Sequence, residues 1–295
     1  MRILLATHDH LGDSVILTAG LHDAKKEFPD IEFDYEGNYG AVFENNPDIT
    51  HFSRAEKFHR VFIGYNGGER TGEKGNMCEG MANTLAVELE KLTEKYFEIC
   101  SSAPCLYLTD EEKTRDFGIR KPYCIINSNS QDRSEVKAYP HYQQIIDILR
   151  EKGVTSVLIG GDAKRDITEE LTGCVDLRMK TSIRDLFSLV WQCDGVISPA
   201  SGVIHIAAAF GRKSLCITGA REPMKLTDYP NCMHATSECG QYNSGIGCMK
   251  FHLYRDRHGC QHIMCKNGKL YPKCMGDVPP SVVCDLYPED RYEEP

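Results

Sequence analysis

Four groups of side chains in this 295-residue chain have the types and spacing to do chemistry. The first is HLGDS, residues 10–14. Asp13 there can act as a general base, taking the proton of an attacking hydroxyl, and Gly12 lets the backbone pass close to a ligand. Asp is equally a common helix N-cap, so the residue types alone leave both roles open. His8, just ahead of the group, and His10, its first residue, are loop histidines able to face a cleft. The second group is Lys137 in KAYP, with Asn127 and Ser128 upstream. A lysine just ahead of a helix pairs with a diphosphate as a mobile cation, and Asn127 and Ser128 can donate to the same anion. Its ordinary alternative is a solvated loop lysine. Gly160, Gly161 and Asp162 follow the next apolar run and can touch a nucleoside. The third group is SGVIH, residues 201–205. A helix beginning at Ser201 and Gly202 aims free N–H groups and its positive end at a phosphate. His205, one turn further on the same face, either reaches that ligand or is a core histidine with a satisfied hydrogen bond. The fourth is Cys248-x11-Cys260-x4-Cys265-x8-Cys274, four thiols that satisfy a tetrahedral metal. Cys239, Cys284, His252, His258 and His262 are substitute ligands.

The pattern of the remaining chain supplies a scaffold for these groups. RILLAT, residues 2–7, reads as a buried strand, and the turn HDHLGDS leads to the helix VILTAGLHDAKKEF, capped by Ser14 or Asp13. Its Ile16, Leu17, Leu21 and Ala24 recur at helical spacing, and Pro29 ends it. Residues 31–35 and 61–65 read as strands, 41–43 as a helical turn and 49–52 as an extended piece, while 66–76 is a polar, glycine-rich loop. Residues 77–97 form an amphipathic helix, and 101–121 cross to a second unit, with Asp110 capping EEKTRDF. That unit alternates strand 123–127, helix 141–152, strand 156–159, helix 167–171 and helix 182–192, the last capped by Thr181 or Ser182. It closes on VISPASGVIHIAAAFGRKSLCITG, residues 196–219, read as strand, turn, helix, strand. Alternating strands and helices predict an α/β fold of two Rossmann-like doubly wound domains, whose ligands bind beyond the carboxyl ends of the strands. The boundaries expected are 1–112 for the first domain, 113–230 for the second and 231–295 for a Cys-rich metal-binding extension.

Composition narrows the function classes. A net charge of -9 argues against charge-driven binding to nucleic acid or an anionic membrane, although Lys, Arg and aromatics in 54–74 and 250–273 could line a local groove. The mean hydropathy of -0.39 and the shortness of the run Ile3 to Ala6 predict no membrane span and a cytoplasmic protein. Of fourteen cysteines, seven fall between Cys232 and Cys284. Without a secretory signal, that clustering favours metal over disulfides. Residues 220–295 are poor in long apolar runs, so a metal would supply stability that a small core cannot.

In their shared order, these segments resemble glycosyltransferase family 9, the ADP-heptose heptosyltransferases of GT-B fold. The resemblance rests on RILLATHDHLGDSVILTAGLHDAKKEFPDIEFDYEGNYG with NNPDI, then on KAYP, VTSVLIGGDAKRD, TSIRDLFSLVWQCDGVIS and SGVIHIAAAFG, and covers residues 1–220. It implies an inverting transfer of sugar from a nucleotide-diphosphate donor to an acceptor hydroxyl, with no catalytic metal. Asp13 matches the family's catalytic base, Lys137 its phosphate-pairing lysine and SGVIH its donor-binding helix start. Ala200 stands where the family usually has Asp, which bears on the identity of the sugar. The tail, ending in KCMGDVPPSVV, is similar to the autotransporter heptosyltransferases, in which a four-cysteine finger holds iron. That similarity supports a zinc or iron on Cys248, Cys260, Cys265 and Cys274, which either is structural or organises self-association into a homo-oligomer. The acceptor is a glycan, a protein side chain or hydroxymethylated DNA, and an inert nucleotide-sugar-binding module is the rival from another class.

Overall fold

The computed structural model describes residues 1–8, 10–64, 75–128, 135–161, 171–240, 242–243, 245–249 and 259–287. Most of the expected 66–76 loop, Asp162, nearly all of the expected 167–171 helix, and the substitute ligands His252 and His258 lie outside these residues. Among the described residues, β1 (Arg2–Thr7), β2 (Glu32–Glu36) and β3 (His59–Ile63) form a parallel sheet in the order β2-β1-β3. The middle of its central strand is apolar, with Ile3, Leu4, Leu5 and Ala6 all buried, the composition of a strand covered on both faces. Residues 49–52, expected as an extended piece, join no sheet.

The helices of this half start where their caps allow. α1 runs Leu11–Glu27 from His10, four residues earlier than the apolar spacing predicts, so Asp13 lies in its first turn and is not an N-cap. Nor does Ser14 cap it: its hydroxyl bonds the Tyr35 hydroxyl at 2.9 Å and donates to the His10 carbonyl at 3.2 Å. α2 (Met77–Thr93) begins in a capping box between Asn76 and Glu79 and ends in left-handed Glu94, short of the predicted residue 97. α3 (Asp110–Thr114) is capped by Thr109, whose box partner is Glu112; Asp110 is its first residue and not its cap.

The second half is built on a six-stranded parallel sheet, ordered β6-β5-β4-β7-β8-β9. Its strands are β4 (Tyr123–Asn127), β5 (Thr155–Ile159), β6 (Val175–Asp176), β7 (Gly195–Pro199), β8 (Ser214–Gly219) and β9 (Cys232–Thr236). α4 (Tyr142–Glu151), α5 (Ile183–Gln192) and α6 (Gly202–Ala209) cover it, and Ser182 caps α5 as expected. From β4 the order runs one way through β5 to β6, and from β7 it runs the other way through β8 to β9. The crevice at the carboxyl ends of β4 and β7 is therefore the topological switch point, where open α/β sheets take their ligands.

Successive residues of β4, β7 and β8 fall into two cores on opposite faces of that sheet. One face is continuous with the first half, so Ile3, Val15 and Leu85 share a core with Phe187, Val196 and Ile204. The other face is closed by the tail, whose Cys274, Met275, Val278, Val283, Leu286 and Tyr287 pack against Ile126, Ile146 and Ile217. Few as its apolar residues are, the tail inserts them into the larger domain and does not rest on a small core of its own. It contributes β9, the two-stranded pairs β10 (Glu238–Cys239) with β11 (Tyr242–Asn243) and β12 (Ile263–Lys266) with β13 (Lys269–Pro272), and the short helices α7 (Lys273–Gly276) and α8 (Val283–Leu286). Among the described residues, no helix is long and apolar enough to cross a membrane.

Candidate functional site

At the switch point the ends of β4 and β7 are tied together by side chains. Asn127, the last residue of β4, donates through Nδ2 to Ser198 Oγ at 3.2 Å and to Ser201 Oγ at 3.1 Å, and the two serine oxygens are 2.8 Å apart. Ser201 is the N-cap residue of α6 in extended conformation, but its hydroxyl makes no capping bond. The first N–H groups of α6 are thus left without a side-chain cap, the arrangement that receives anions at helix starts. Asn127 is buried, and its Oδ1 has no hydrogen-bond partner among the described residues. An orphaned acceptor in such a place is suited to a donor group of a ligand.

Lys137, in the helical turn Glu135–Lys137, enters the same crevice. Its Nζ donates to the Ala200 carbonyl at 2.7 Å and lies 3.0 Å from Glu222 Oε1. Glu222 in turn pairs with Arg221, and all three side chains are largely buried. Burial pushes the Glu222 carboxyl upward, but the charges of Lys137 and Arg221 outweigh it and hold the group below the usual glutamate range. Lys137 is therefore a paired lysine and not a solvated one.

His205 is buried one turn into α6, with Nδ1 2.7 Å from the Tyr229 hydroxyl. Burial first, and Lys137 second, lower its pKa to about 4, so it is neutral at physiological pH. The Tyr229 hydroxyl also meets Cys78 Sγ at 3.3 Å, which joins the histidine to α2 of the first half. His205 thus has the satisfied hydrogen bond of a core histidine and also borders the crevice, because a Cβ placed on Gly12 would lie 3.5 Å from its Cδ2.

Gly12 and Gly202 bring the halves together. A Cβ on Gly202 would stand 3.2 Å from the Gly12 nitrogen, and one on Gly12 would stand 3.4 Å from Gly202 Cα. The contact at Gly202 is tight enough that a side chain there would push the Gly12 backbone by a few tenths of an ångström, whereas a methyl group on Gly12 would only just touch Gly202. Asp13 follows in the first turn of α1 and is buried. Ser128 is buried just beyond β4, and Gly161 is buried just beyond β5, two residues past Ile159, the register partner of Asn127. Gly12, Asn127, Lys137, Ser201, Gly202 and His205 are linked through these contacts; Ser128 and Gly161 share the strand-end edge.

Glu222, Arg221 and Tyr229 escape the reading of the sequence. Arg221 and Glu222 follow the apolar β8 at its carboxyl end, so their position was a usable signal, although the pairing with Lys137 was not.

Cys265 is exposed on β12, opposite Leu270. Burial raises the Cys239 thiol, and Cys260 and Cys248 raise it further. Burial likewise lifts Cys274 to about 11, opposed by the Ala220 N–H and reinforced by Cys239, Cys248 and Cys260. Among the described residues, no three His, Cys, Asp or Glu side chains are grouped closely enough to hold a metal ion. As they stand, these thiols do not form a closed metal site.

Two parallel-sheet units meeting at a helix start define an α/β protein with the fold of the GT-B heptosyltransferases. The profile of glycosyltransferase family 9 (heptosyltransferase) matches residues 82–244, and the chain belongs to that family. It is 29% identical over 98 residues to lipooligosaccharide heptosyltransferase 2 of Haemophilus influenzae, a match spanning 30% of this chain and 28% of that protein. The fold is similar to that of ADP-heptose LPS heptosyltransferase II of E. coli, with a TM-score of 0.60, 14% identity and 97% of each chain covered. It is also similar to that of TibC of enterotoxigenic E. coli, a dodecameric, iron-containing heptosyltransferase. Against TibC in complex with ADP-D-β-D-heptose the TM-score is 0.67 at 14% identity, over 96% of this chain and 74% of that one.

Proposed function

We propose that the chain is an inverting glycosyltransferase that transfers a heptose-like sugar from an ADP-linked donor to an acceptor hydroxyl. The observation that carries this reading is the apposition of Gly12 and Gly202, which puts the first turn of α1, with Asp13, against the start of α6. The donor diphosphate takes the open N–H groups at Ser201 and Gly202 and the Nζ of Lys137, which stabilise the leaving nucleotide as charge develops on it. Asn127 Oδ1 accepts from a donor hydroxyl or amine, Ser128 borders the phosphates and Gly161 the nucleoside. Neutral His205 is held by Tyr229 in a fixed orientation at the edge of the same crevice. Asp13 takes the proton of the acceptor hydroxyl as it attacks the anomeric carbon from the opposite face. The first half, 1–112, then carries the acceptor, and 113–230 the donor.

Asp13→Asn tests the scheme. Transfer from ADP-heptose should fall by roughly a hundredfold or more, with calorimetric binding of ADP kept; full activity in the variant would remove Asp13 from its role.

The extension is proposed to hold a structural zinc or iron, which its clustered cysteines suggest, with Cys248, Cys260, Cys265 and Cys274 as the ligands and Cys239 as a substitute. No reaction step runs through it. Elemental analysis of the purified chain decides, since a metal content far below one per chain would end this part of the proposal.

A further inference from the structure

Glu222 has no part in the scheme above, yet it occupies the site's most constrained position. It is 8% exposed, in the loop that follows β8, with its carboxylate on Lys137 and Arg221. Burying three charged groups costs several kcal/mol per ion, and apolar residues of similar volume would stabilise a fold equally well. Such a triad therefore points to use, and it stands at the ligand-binding edge of the sheet. The loop is also held rigidly, since the Cys248 N–H donates to the Ala220 carbonyl at 3.2 Å and the Met249 N–H to the Arg221 carbonyl at 3.0 Å.

The complement of hydrogen-bonding groups indicates what that use is. The backbone N–H groups of the α6 start and the ammonium of Lys137 donate, and a diphosphate consumes them. A sugar brings hydroxyl donors that need acceptors. Position 200 offers only a carbonyl, already bonded to Lys137, and a methyl group. The Asn127 Oδ1 is one acceptor, and the other in contact with Lys137 is the Glu222 carboxylate. A diphosphate, more highly charged than one carboxylate, draws Lys137 away from Glu222 and frees the oxygen that the lysine had held.

We propose that Glu222 is a specificity-determining residue, whose carboxylate is released by Lys137 when the donor diphosphate binds and accepts a hydrogen bond from a hydroxyl of the transferred sugar. This rests on the donor-site reading above. Arg221 stays paired with Glu222 and aims it.

The test is calorimetry of the purified full chain with ADP and with ADP-D-β-D-heptose, for wild type, Glu222→Gln and Glu222→Asp, with thermal melting as a control for folding. Glu222→Gln should bind ADP as tightly as wild type or tighter, because an anion competing for Lys137 is gone. Its preference for ADP-heptose over ADP should fall about tenfold, the loss expected for one hydrogen bond to a charged group. Glu222→Asp keeps the charge but withdraws it by one methylene, so ADP binding should be retained and the preference reduced. An unchanged ratio, or a parallel loss for both ligands, overturns the assignment and leaves Glu222 as an anchor of the loop. A wild-type chain that binds neither ligand overturns the donor-site reading itself, and this inference with it.

Discussion

At the scale of single residues, burial decides protonation. His205 titrates near about 4 because its surroundings are dry and Lys137 is near, with Glu222 opposing weakly. The unfolded chain takes up that proton from roughly pH 6.5 downward, so between about pH 6.5 and 4 the unfolded state binds more protons than the folded one. Stability therefore rises with pH across this window and is lost as pH falls through it. Melting temperature measured from pH 7 to pH 4 should drop in wild type, with a contribution on the order of 3 kcal/mol from this group. The profile should be flatter in His205→Asn, which keeps a nitrogen toward Tyr229; parallel profiles would mean that His205 is not the group responsible.

Elements meet in this molecule where side chains are missing. α1 lies against α2 at Gly20, where an added Cβ would be 2.8 Å from both Ala82 Cα and Ala82 Cβ. In a helix interior, Gly→Ala alone contributes about 1 kcal/mol of stability. Here that gain is opposed by overpacking, typically 1–3 kcal/mol, and the obstructing Cα and Cβ of Ala82 are fixed by the backbone and cannot turn aside. Gly20→Ala should thus lower stability in urea titration, whereas Gly40→Ala, with open space around the added methyl group, should leave it within about 0.5 kcal/mol. A milder form of the same logic applies at Gly202, where an added Cβ would stand 3.2 Å from the Gly12 nitrogen as the starts of two helices from different halves meet.

For the whole molecule, Arg184 is the principal polar tie between the halves. From α5 it donates to both carboxylate oxygens of Glu112, at 2.7 and 2.6 Å, to the Tyr107 carbonyl at 2.8 Å and to the Ala41 carbonyl at 3.2 Å. The Arg184 hydrogen bonds, working against burial, bring Glu112 down to about 2. The stability this provides is complete above the ordinary carboxylate range and is lost as pH falls toward about 2. Arg184→Ala strands a buried carboxylate and should destabilise the chain by about 3–5 kcal/mol near neutral pH. The deficit should shrink in acid, as Glu112 is neutralised. A deficit independent of pH would locate the loss in packing alone. The tail is bound just as closely to the segment that leads into α4, with the Lys266 ammonium donating to the Pro140 carbonyl at 2.6 Å and the Tyr139 hydroxyl to the Val278 carbonyl at 3.2 Å.

Much of this was already written in the local sequence. Apolar runs such as RILLAT and YCIIN, the Ser182 cap and the turn ahead of Gly202 specify strands, helices and their order through interactions between near neighbours, which residue types report directly. Asp13, Lys137 and the SGVIH start could be picked out for the same reason, since each sits beside a strand end. Caps were less legible: α1 begins at His10 because Leu11 and Gly12 continue the helix into the interface with α6, and Thr109 takes the capping role from Asp110 through its reciprocal bond with Glu112. What the tertiary structure alone decided are pairings across long separations in sequence. Lys137 meets Glu222, Tyr229 meets both His205 and Cys78, and the tail fills a core begun 150 residues earlier. Such pairings depend on which strand lies beside which, and no periodicity or spacing along the chain encodes that.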